Sequence, residues 1–433
     1  MKKFFPRIIG MVLSMILILN QSPIFAEKSA PTINGEGAVV IEYETGKVIY
    51  SKNMNESLYP ASTTKVMTAL LTLEHGNLDD VITVPDDIGA GEGSSMYLLP
   101  GEKFTVGQLL EAMLVKSAND AAVMLANHVG GDVPSFAKMM NKRAKELGAT
   151  NTHFNNPNGL PDPKHHTTAH DMALIAREAM KHEKFRKIVK TKYVSFDQTA
   201  QTPETRVYRN TNRFLWSNTL IDYKGTSIPI KYDIVDGIKT GFTDEAKNCL
   251  VTTASKDGMR LISVVFKSEG LTVYQDTRTI LDYCFDNFKV VELLSPNTLL
   301  GEKNIPFSLE GSLSLNCPSG FYSVIDKSSE IKKISKVKEI SKDLKLPIKK
   351  GDSIGVIKFY DGNKLLGETS ITAGNSVNSI FTIDSMGKYF KTHPIISILY
   401  ITGFLLSVGF AVFLFLLIRA SFFKGRRRKR RKK

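Results

Sequence analysis

Two polar residues one helical turn apart are the first pair in the chain that could carry out chemistry together. Ser62 and Lys65 lie in the segment Ala61-Ser62-Thr63-Thr64-Lys65, which opens a predicted helix. A three-residue spacing puts both side chains on one face of the helix, one turn apart. The backbone N–H of a residue at a helix start is unpaired and could stabilise an oxyanion. The same pattern also fits a plain N-cap followed by a surface lysine.

Two further motifs carry groups that could serve a nucleophilic serine. Ser117 and Asn119 present a hydroxyl and an amide between two predicted helices. Lys239-Thr240-Gly241 ends a predicted strand and offers a cation, a hydroxyl and a bare backbone position, which suits carboxylate binding. Taken alone, the first motif would be a helix cap and the second a turn. The ordered set of three motifs is the one shared by penicillin-binding proteins and class A β-lactamases.

The chain resembles the low-molecular-mass penicillin-binding proteins that act as serine-type D-alanyl-D-alanine carboxypeptidases. The similar stretches cover most of residues 31–288. They are YPASTTKVMTALL (59–71), SSMYLLPGEKFTVGQLLEAMLVKSANDAA (94–122), NTHFNNPNGLPD (151–162), TTAHDMALIAREAM (167–180) and VDGIKTGFTDEAKNCLVTTA (235–254). The later stretch PIKKGDSIGVIKFYDGNKLLGE (347–368) resembles the C-terminal domain of the same family.

The resemblance implies three catalytic residues. Ser62 would be the nucleophile and Lys65 its general base, and Ser117 would relay a proton towards the leaving amine. Lys65 must be neutral when it takes the proton. Burial and a second cation nearby, at Lys239, would both depress its pKa and supply that state. The chemistry requires no metal or other cofactor.

The resemblance also implies a set of substrate-binding residues. Asn119 would hold the substrate amide, and Lys239 and Thr240, followed by Gly241, would receive the terminal carboxylate of the peptide. The oxyanion hole would consist of the backbone N–H of Phe242 and that of the nucleophile itself.

The chain departs from the family pattern at two places near the predicted site. Residues 246–248 read Ala-Lys-Asn, where the family usually has Ala-Gly followed by an aromatic residue. Residues 271–274 read Leu-Thr-Val-Tyr, where family members commonly carry an arginine that helps to bind the carboxylate. The nearest arginine, Arg278, lies about one turn later and is left out of the predicted site. We therefore expect Lys239 and Thr240 to bind the carboxylate alone.

The hydrophobic pattern predicts an α/β (α+β) catalytic domain over residues 31–288. Strand patterns come first, helical patterns follow and strand patterns return, which favours an antiparallel sheet with a helical insertion. Penicillin-binding and β-lactamase-like domains have this arrangement. Residues 289–378 are predicted to form a small all-β domain, with a hairpin turn at residues 361–363. The lysine-rich stretch 327–350 is predicted to be a solvated surface.

The two ends of the chain predict its location. Residues 1–26 have the charged start and apolar stretch of a signal peptide, with cleavage expected after Ala26. Residues 379–393 would be a juxtamembrane spacer. The uncharged segment 394–418 is long enough to span a bilayer. The basic tail, residues 419–433, then places the C-terminus in the cytoplasm and the catalytic domain outside.

The charge distribution argues against a nucleic-acid partner. The net charge is +14, but ten basic residues lie in the last fifteen positions and three in the first 26. The remaining 44 basic residues nearly balance the 43 acidic ones. Three widely spaced cysteines exclude a disulfide scaffold and a cysteine-based zinc site. His165, His166 and His170 are predicted to mark a helix entry rather than a metal site.

These observations predict a membrane-anchored carboxypeptidase that removes the terminal D-Ala from peptidoglycan stem pentapeptides and is inhibited by β-lactams. Three alternatives stay open: a β-lactamase on the same fold, a weakly active cell-wall scaffold and an endopeptidase. A class A β-lactamase needs a second base in an E-x-x-L-N pattern after the S-x-N motif. No such pattern surrounds the four glutamates in that interval, Glu146, Glu178, Glu183 and Glu204.

Overall fold

The protein divides into two compact units, with the division between Lys289 and Val290. The computed structural model describes residues 29–87, 92–381, 387–388, 391 and 394–430. The predicted signal peptide, residues 1–26, lies outside the described residues.

The first unit contains the predicted alternation of strands and helices. Its elements are β1 (Gly37–Glu42), β2 (Val48–Lys52), α1 (Lys65–His75), β3 (Val81–Thr83), β4 (Lys103–Thr105), α2 (Val106–Val115), α3 (Asn119–Gly130), α4 (Val133–Glu146), α5 (Ala169–Ala179), α6 (Glu183–Lys190), β5 (Tyr193–Phe196), β6 (Arg206–Arg209), β7 (Leu220–Tyr223), β8 (Thr226–Pro229), β9 (Val235–Thr243), β10 (Lys247–Lys256), β11 (Met259–Ser268) and α7 (Thr272–Asn287).

A five-stranded antiparallel sheet forms the centre of this unit, in the order β2-β1-β11-β10-β9. The chain leaves the sheet after β2 and returns at β9, so α1 to α6 form an insertion, as predicted. Strand β1 is buried along its whole length. Because its side chains alternate between the faces, Val39 and Ile41 join the core of the helical insertion, and the side chain between them, Val40, points to the opposite face.

Local capping explains where the helices begin. The Thr105 hydroxyl accepts the Gln108 N–H, and the Gln108 side chain accepts the Thr105 N–H, which makes a capping box for α2. Thr168 caps α5, because its hydroxyl accepts the Asp171 N–H. The short hairpins β5–β6 and β7–β8 and the helix α6 were not predicted, because segments of four to eight residues carry too few apolar repeats to show a period.

The second unit is the predicted all-β domain followed by one long helix. Its elements are β12 (Phe288–Leu294), β13 (Thr298–Asn304), β14 (Ser312–Cys317), β15 (Phe321–Asp326), β16 (Ile334–Ile340), β17 (Ser353–Asp361), β18 (Lys364–Ala373) and α8 (Pro394–Arg430). Five strands form one sheet in the order β13-β14-β18-β17-β16, and β12 pairs with β15.

The lysine-rich stretch contains an edge strand, β16, that the sequence did not predict. Lys336 Nζ donates a hydrogen bond to the Leu293 carbonyl at 2.6 Å, and Lys338 Nζ donates one to the Leu300 carbonyl. Leu300 belongs to β13, the strand at the other edge of the sheet. The two lysines therefore connect the last strand of the sheet to the backbone of β12 and β13.

The long helix α8 suggests a membrane anchor. Its apolar part runs from Ile398 to Ala420 with a mean hydropathy of 2.6, and within the described residues it is the one helix that is long and apolar enough to cross a bilayer. The hydroxyl of Thr402 donates to the Ile398 carbonyl and that of Ser407 to the Phe404 carbonyl. These polar side chains are thus satisfied within the helix, as a lipid environment requires.

Candidate active site

The predicted nucleophile lies in a tight turn at the start of α1. Ser62 is part of a 3-10 turn, Ala61–Thr64, that runs directly into the helix at Lys65. Gly159, with a φ of +83°, packs against this turn so closely that a Cβ would lie 1.8 Å from the Ala61 carbonyl oxygen. Glycine is therefore required at position 159, and its close packing restricts the conformation of the turn.

Lys65 makes three hydrogen bonds that define what its amine can do. Its side chain is fully buried, and Nζ lies 2.9 Å from Ser62 Oγ, 2.6 Å from Asn119 Oδ1 and 2.6 Å from the Asn158 carbonyl oxygen. The amide and carbonyl oxygens can only accept, whereas the hydroxyl can also donate. A neutral amine that donates to these two oxygens therefore directs its lone pair at the Ser62 hydroxyl, which is the geometry of a general base.

The electrostatic surroundings favour the neutral form of this amine. Burial lowers the pKa of Lys65 well below its ordinary value, and the nearby charge of Lys239 lowers it further. The Asp120 carboxylate acts in the opposite direction but is the smallest of the three influences. A depressed pKa is what the predicted role of Lys65 as a general base requires.

Asn119 positions Lys65 against the wall of the cleft. Its Oδ1 accepts from Lys65, its Nδ2 donates to the Glu92 carbonyl at 2.6 Å, and its backbone N–H donates to the Ser94 carbonyl at 2.7 Å. Ser117 precedes it with a φ of 68° and is almost fully buried. This conformation is unusual for a serine and places its side chain on the lining of the cleft.

The Lys239-Thr240-Gly241 motif lies on the edge strand β9, next to the nucleophile turn. Lys239 is buried and donates to the Thr240 carbonyl at 3.0 Å, and burial lowers its pKa to about 7. A Cβ on Gly241 would lie only 3.0 Å from the Ser62 nitrogen, so glycine lets the strand approach the turn without displacing it. Phe242, the next residue, is 60% exposed and also lines the cleft.

These elements surround a cleft of about 730 Å³. Five of the predicted site residues line it: Ser62, Ser117, Thr240, Gly241 and Phe242. Three predicted site residues are buried directly behind the lining: Lys65, Asn119 and Lys239. Lys65 bonds to the Ser62 hydroxyl, the Asn119 N–H donates to the Ser94 carbonyl, and Lys239 donates to the Thr240 carbonyl. The other lining residues are Gly93, Ser94, Ser95, Tyr97, Lys116, Thr211, Arg213, Asn248, Gly270, Leu271, Val273 and Tyr274. Among the described residues of the lining there are two cations and no carboxylate, which suits a negatively charged ligand.

The two departures from the family pattern both lie at this cleft. Asn248 lines it from β10, and Leu271, Val273 and Tyr274 line it at the start of α7. Arg278 does not belong to the lining. Its guanidinium packs over the rings of Tyr223 and Tyr232, which agrees with its exclusion from the predicted site.

Sequence reasoning missed four residues that shape the site. Asp120 accepts hydrogen bonds from Ser95, Met96 and Leu98 and so holds the cleft wall against α3. Asn158 contributes a backbone carbonyl, which leaves no signature in a sequence. Thr211 lies in a loop and Arg213 begins a short 3-10 turn, Arg213–Leu215, so only their proximity in the fold reveals them. Asp120 could have been found, because an acid directly after the S-x-N motif can cap a helix start.

The histidines considered as metal ligands have other partners. His165 is buried, with Nε2 2.9 Å from the Thr64 hydroxyl and Nδ1 accepting from the Asn155 N–H at 3.1 Å. Burial lowers its pKa to about 4, so the ring is neutral and structural at moderate pH. His166 Nδ1 lies 2.9 Å from the Lys164 carbonyl. Across the described ranges, no three acidic, histidine or cysteine side chains are grouped as a metal site.

Comparison with known families gives two matches, one after the other along the chain. Residues 25–270 match the family described as D-alanyl-D-alanine carboxypeptidase, Peptidase_S11. Residues 288–379 match the C-terminal domain of penicillin-binding protein 5.

Individual relatives match over most of the chain. The D-alanyl-D-alanine carboxypeptidase DacF of Bacillus subtilis is 32% identical over 382 residues, which cover 85% of this chain and 93% of the relative. DacC of Escherichia coli is 32% identical over 350 residues, 77% of this chain and 82% of the relative. The crystal structure of penicillin-binding protein 5 from Haemophilus influenzae has a TM-score of 0.71 at 28% identity and covers 81% of this chain and 99% of that one.

Proposed function

The chain belongs to the D-alanyl-D-alanine carboxypeptidase family of serine peptidases, Peptidase_S11, and we propose that it works through an acyl-enzyme formed on Ser62. The protein is a penicillin-binding carboxypeptidase that hydrolyses peptides ending in D-Ala-D-Ala. The main support for this mechanism is the position of Lys65 Nζ. It donates to Asn119 Oδ1 and to the Asn158 carbonyl oxygen, which can only accept, and it lies next to the Ser62 hydroxyl.

Acylation follows from that placement. The neutral amine of Lys65 takes the proton of Ser62, and Oγ attacks the carbonyl carbon between the two D-Ala residues. The resulting oxyanion is stabilised by the backbone N–H groups of Ser62 and Phe242, which Gly241 brings together. Lys65 now holds three protons and has three acceptors, so no heavy atom has to move to accommodate the new charge.

Departure of the terminal D-Ala completes the first half of the reaction. As the C–N bond breaks, the leaving nitrogen receives a proton through the Ser117 hydroxyl, supplied from the Lys65 ammonium. Water then enters the space that D-Ala has left, and Lys65 and Ser117 assist its attack on the ester. Ser62 recovers its proton and the shortened peptide is released.

The proposed substrate is the pentapeptide stem of peptidoglycan, processed outside the cell. A carboxylate-binding cleft without acidic lining fits a peptide with a free C-terminus. The proposed export signal (residues 1–26) and basic tail (residues 419–433) flank the body and support an extracytoplasmic catalytic domain with a cytoplasmic C-terminus. Full-length protein in detergent should release free D-Ala from such a peptide. A folded protein that releases none would instead fit a cell-wall scaffold.

Replacement of Lys239 by alanine should change both binding and the pH profile. Loss of a charge-assisted bond to the terminal carboxylate, about 1.5–3 kcal/mol, should raise KM by about 10- to 100-fold. Removing the Lys239 charge should also raise the pKa of Lys65. The acidic limb of the pH–rate profile, where the acylation rate falls as Lys65 becomes protonated, should therefore move to higher pH. Steady-state kinetics from pH 5 to 9 measure both effects. An unchanged acidic limb would contradict the electrostatic coupling of the two lysines.

Penicillin should inhibit the enzyme rather than be turned over. The four glutamates in the interval where a class A β-lactamase has its second base do not line the cleft. Glu146 and Glu178 pair with Arg143, and Glu183 pairs with Lys187. A missing general base corresponds to about 10²- to 10⁴-fold in rate. The tethered leaving nitrogen of penicillin would also block the path of water.

The lifetime of the labelled protein decides between these activities. Purified enzyme is incubated with fluorescent penicillin, excess label is quenched, and the covalent adduct is followed with time. A persistent adduct at one label per chain is the expected result. Rapid loss of label with many turnovers would instead assign the protein as a β-lactamase.

A further inference from the structure

We infer that Arg213 joins Lys239 and Thr240 in binding the terminal carboxylate of the substrate, in place of the arginine that the start of α7 lacks. This inference rests on the proposed function and identifies a substrate-binding residue that the sequence motifs do not contain. It replaces the expectation that Lys239 and Thr240 act alone.

The backbone of Arg213 is held beside the carboxylate-binding motif from two sides. Thr211, two residues earlier, accepts a hydrogen bond from the Thr240 hydroxyl at 2.7 Å. The Arg213 N–H donates to the Tyr274 hydroxyl at 3.3 Å. The segment 211–213 therefore lies between β9 and the start of α7. Residues 271–274 bring no cation to the cleft, and Arg213 supplies one next to them.

The charge of Arg213 is exposed to the cleft and not neutralised. Arg213 is exposed, and in the described part of the chain its guanidinium forms no ion pair with a carboxylate. The lining of the cleft supplies no acid either. An unpaired guanidinium with its planar donor fork matches a carboxylate in both charge and shape.

The other two cations near the cleft are less suited to this role. Burial lowers the pKa of Lys239 to about 7, so near neutral pH this lysine carries only part of a charge. The Lys116 amine lies 5.6 Å from the centre of the Tyr208 ring and already has a cation–π partner. A guanidinium keeps its charge at every working pH. Arg213 therefore offers a permanent positive charge that the buried lysine does not.

The test compares Arg213→Ala with Arg209→Ala in the full-length enzyme. Arg209 lies four residues earlier, packs over the rings of Tyr193 and Trp216, and is outside the cleft lining. For a D-Ala-D-Ala peptide with a free carboxylate, Arg213→Ala should raise KM by about 10- to 100-fold and change kcat by less than about threefold. Arg213→Lys should recover part of the loss, and Arg209→Ala should behave like the wild type.

The same peptide with an amidated C-terminus separates carboxylate binding from a structural defect. The wild type should hydrolyse it poorly, and Arg213→Ala should lower that residual rate by less than about threefold. An equal loss on both peptides, no loss on either, or an Arg213→Lys enzyme no better than Arg213→Ala would each overturn the inference. If the wild type itself released no D-Ala, the proposed function would fail and not this assignment alone.

Discussion

Replacement of Ser62 by alanine is expected to abolish both peptide hydrolysis and covalent labelling by penicillin. One hydroxyl serves both reactions, because both ligands acylate the same Oγ. Removal of a serine nucleophile lowers kcat by on the order of 10⁶-fold in a serine peptidase, and a loss of that size is expected here. Release of free D-Ala and fluorescence of the labelled protein on a gel measure the two activities on one preparation.

A matched serine provides the control. Ser51 is exposed on β2, away from the cleft, so Ser51→Ala should keep full activity and full labelling. Thermal unfolding of the two variants should coincide, because neither substitution removes a core side chain. Labelling that survives in Ser62→Ala would show that the nucleophile has been misassigned.

Replacement of Lys65 is expected to be nearly as damaging, even by another basic residue. Lys65→Ala removes the general base, and Lys65→Arg substitutes a guanidinium that stays protonated at every working pH. Both should lower the acylation rate by on the order of 10⁴-fold, the upper range for a positioned base. The rate of penicillin labelling measures this step. Lys138→Arg on the exposed face of α4 is the matched control.

The pH dependence of acylation provides an independent check on Lys65. Its neutral form is the active one, so the rate should fall as the pH is lowered through its pKa. Because burial and the charge of Lys239 depress that pKa, the acidic limb should lie well below the ordinary titration range of lysine. A labelling rate that keeps rising to pH 10 would show that the amine titrates like a free lysine.

Much of the site could be predicted from the sequence because its chemistry resides in side chains with ordered spacing. Ser62, Ser117 and Thr240 line one cleft, and Lys65, Asn119 and Lys239 are buried directly behind it. Their assigned roles remain predictions until the variants are measured.

What could not be predicted has a physical reason in each case. The Asn158 carbonyl is a backbone group, and every residue has one. Arg213 reaches the cleft from a three-residue 3-10 turn, which is too short for a period to relate it to other positions. Strand β16 is rich in lysine and exposed on both faces, so it lacks the apolar alternation that indicates a strand.

The lysines of β16 have a consequence for the membrane-anchored protein that we propose. Anchored copies share a two-dimensional space, where neighbours meet often and an open sheet edge could recruit a strand from another copy. Here a side chain connects the two edge strands, β16 and β13. Lys338 of β16 donates to the Leu300 carbonyl of β13, at the point where the pairing of β13 with β14 shifts register. Lys336 occupies the Leu293 carbonyl in the same way. Charge and occupied acceptors thus make these edges poor templates for aggregation, and under the proposed anchoring copies would stay separate molecules even when crowded on a membrane.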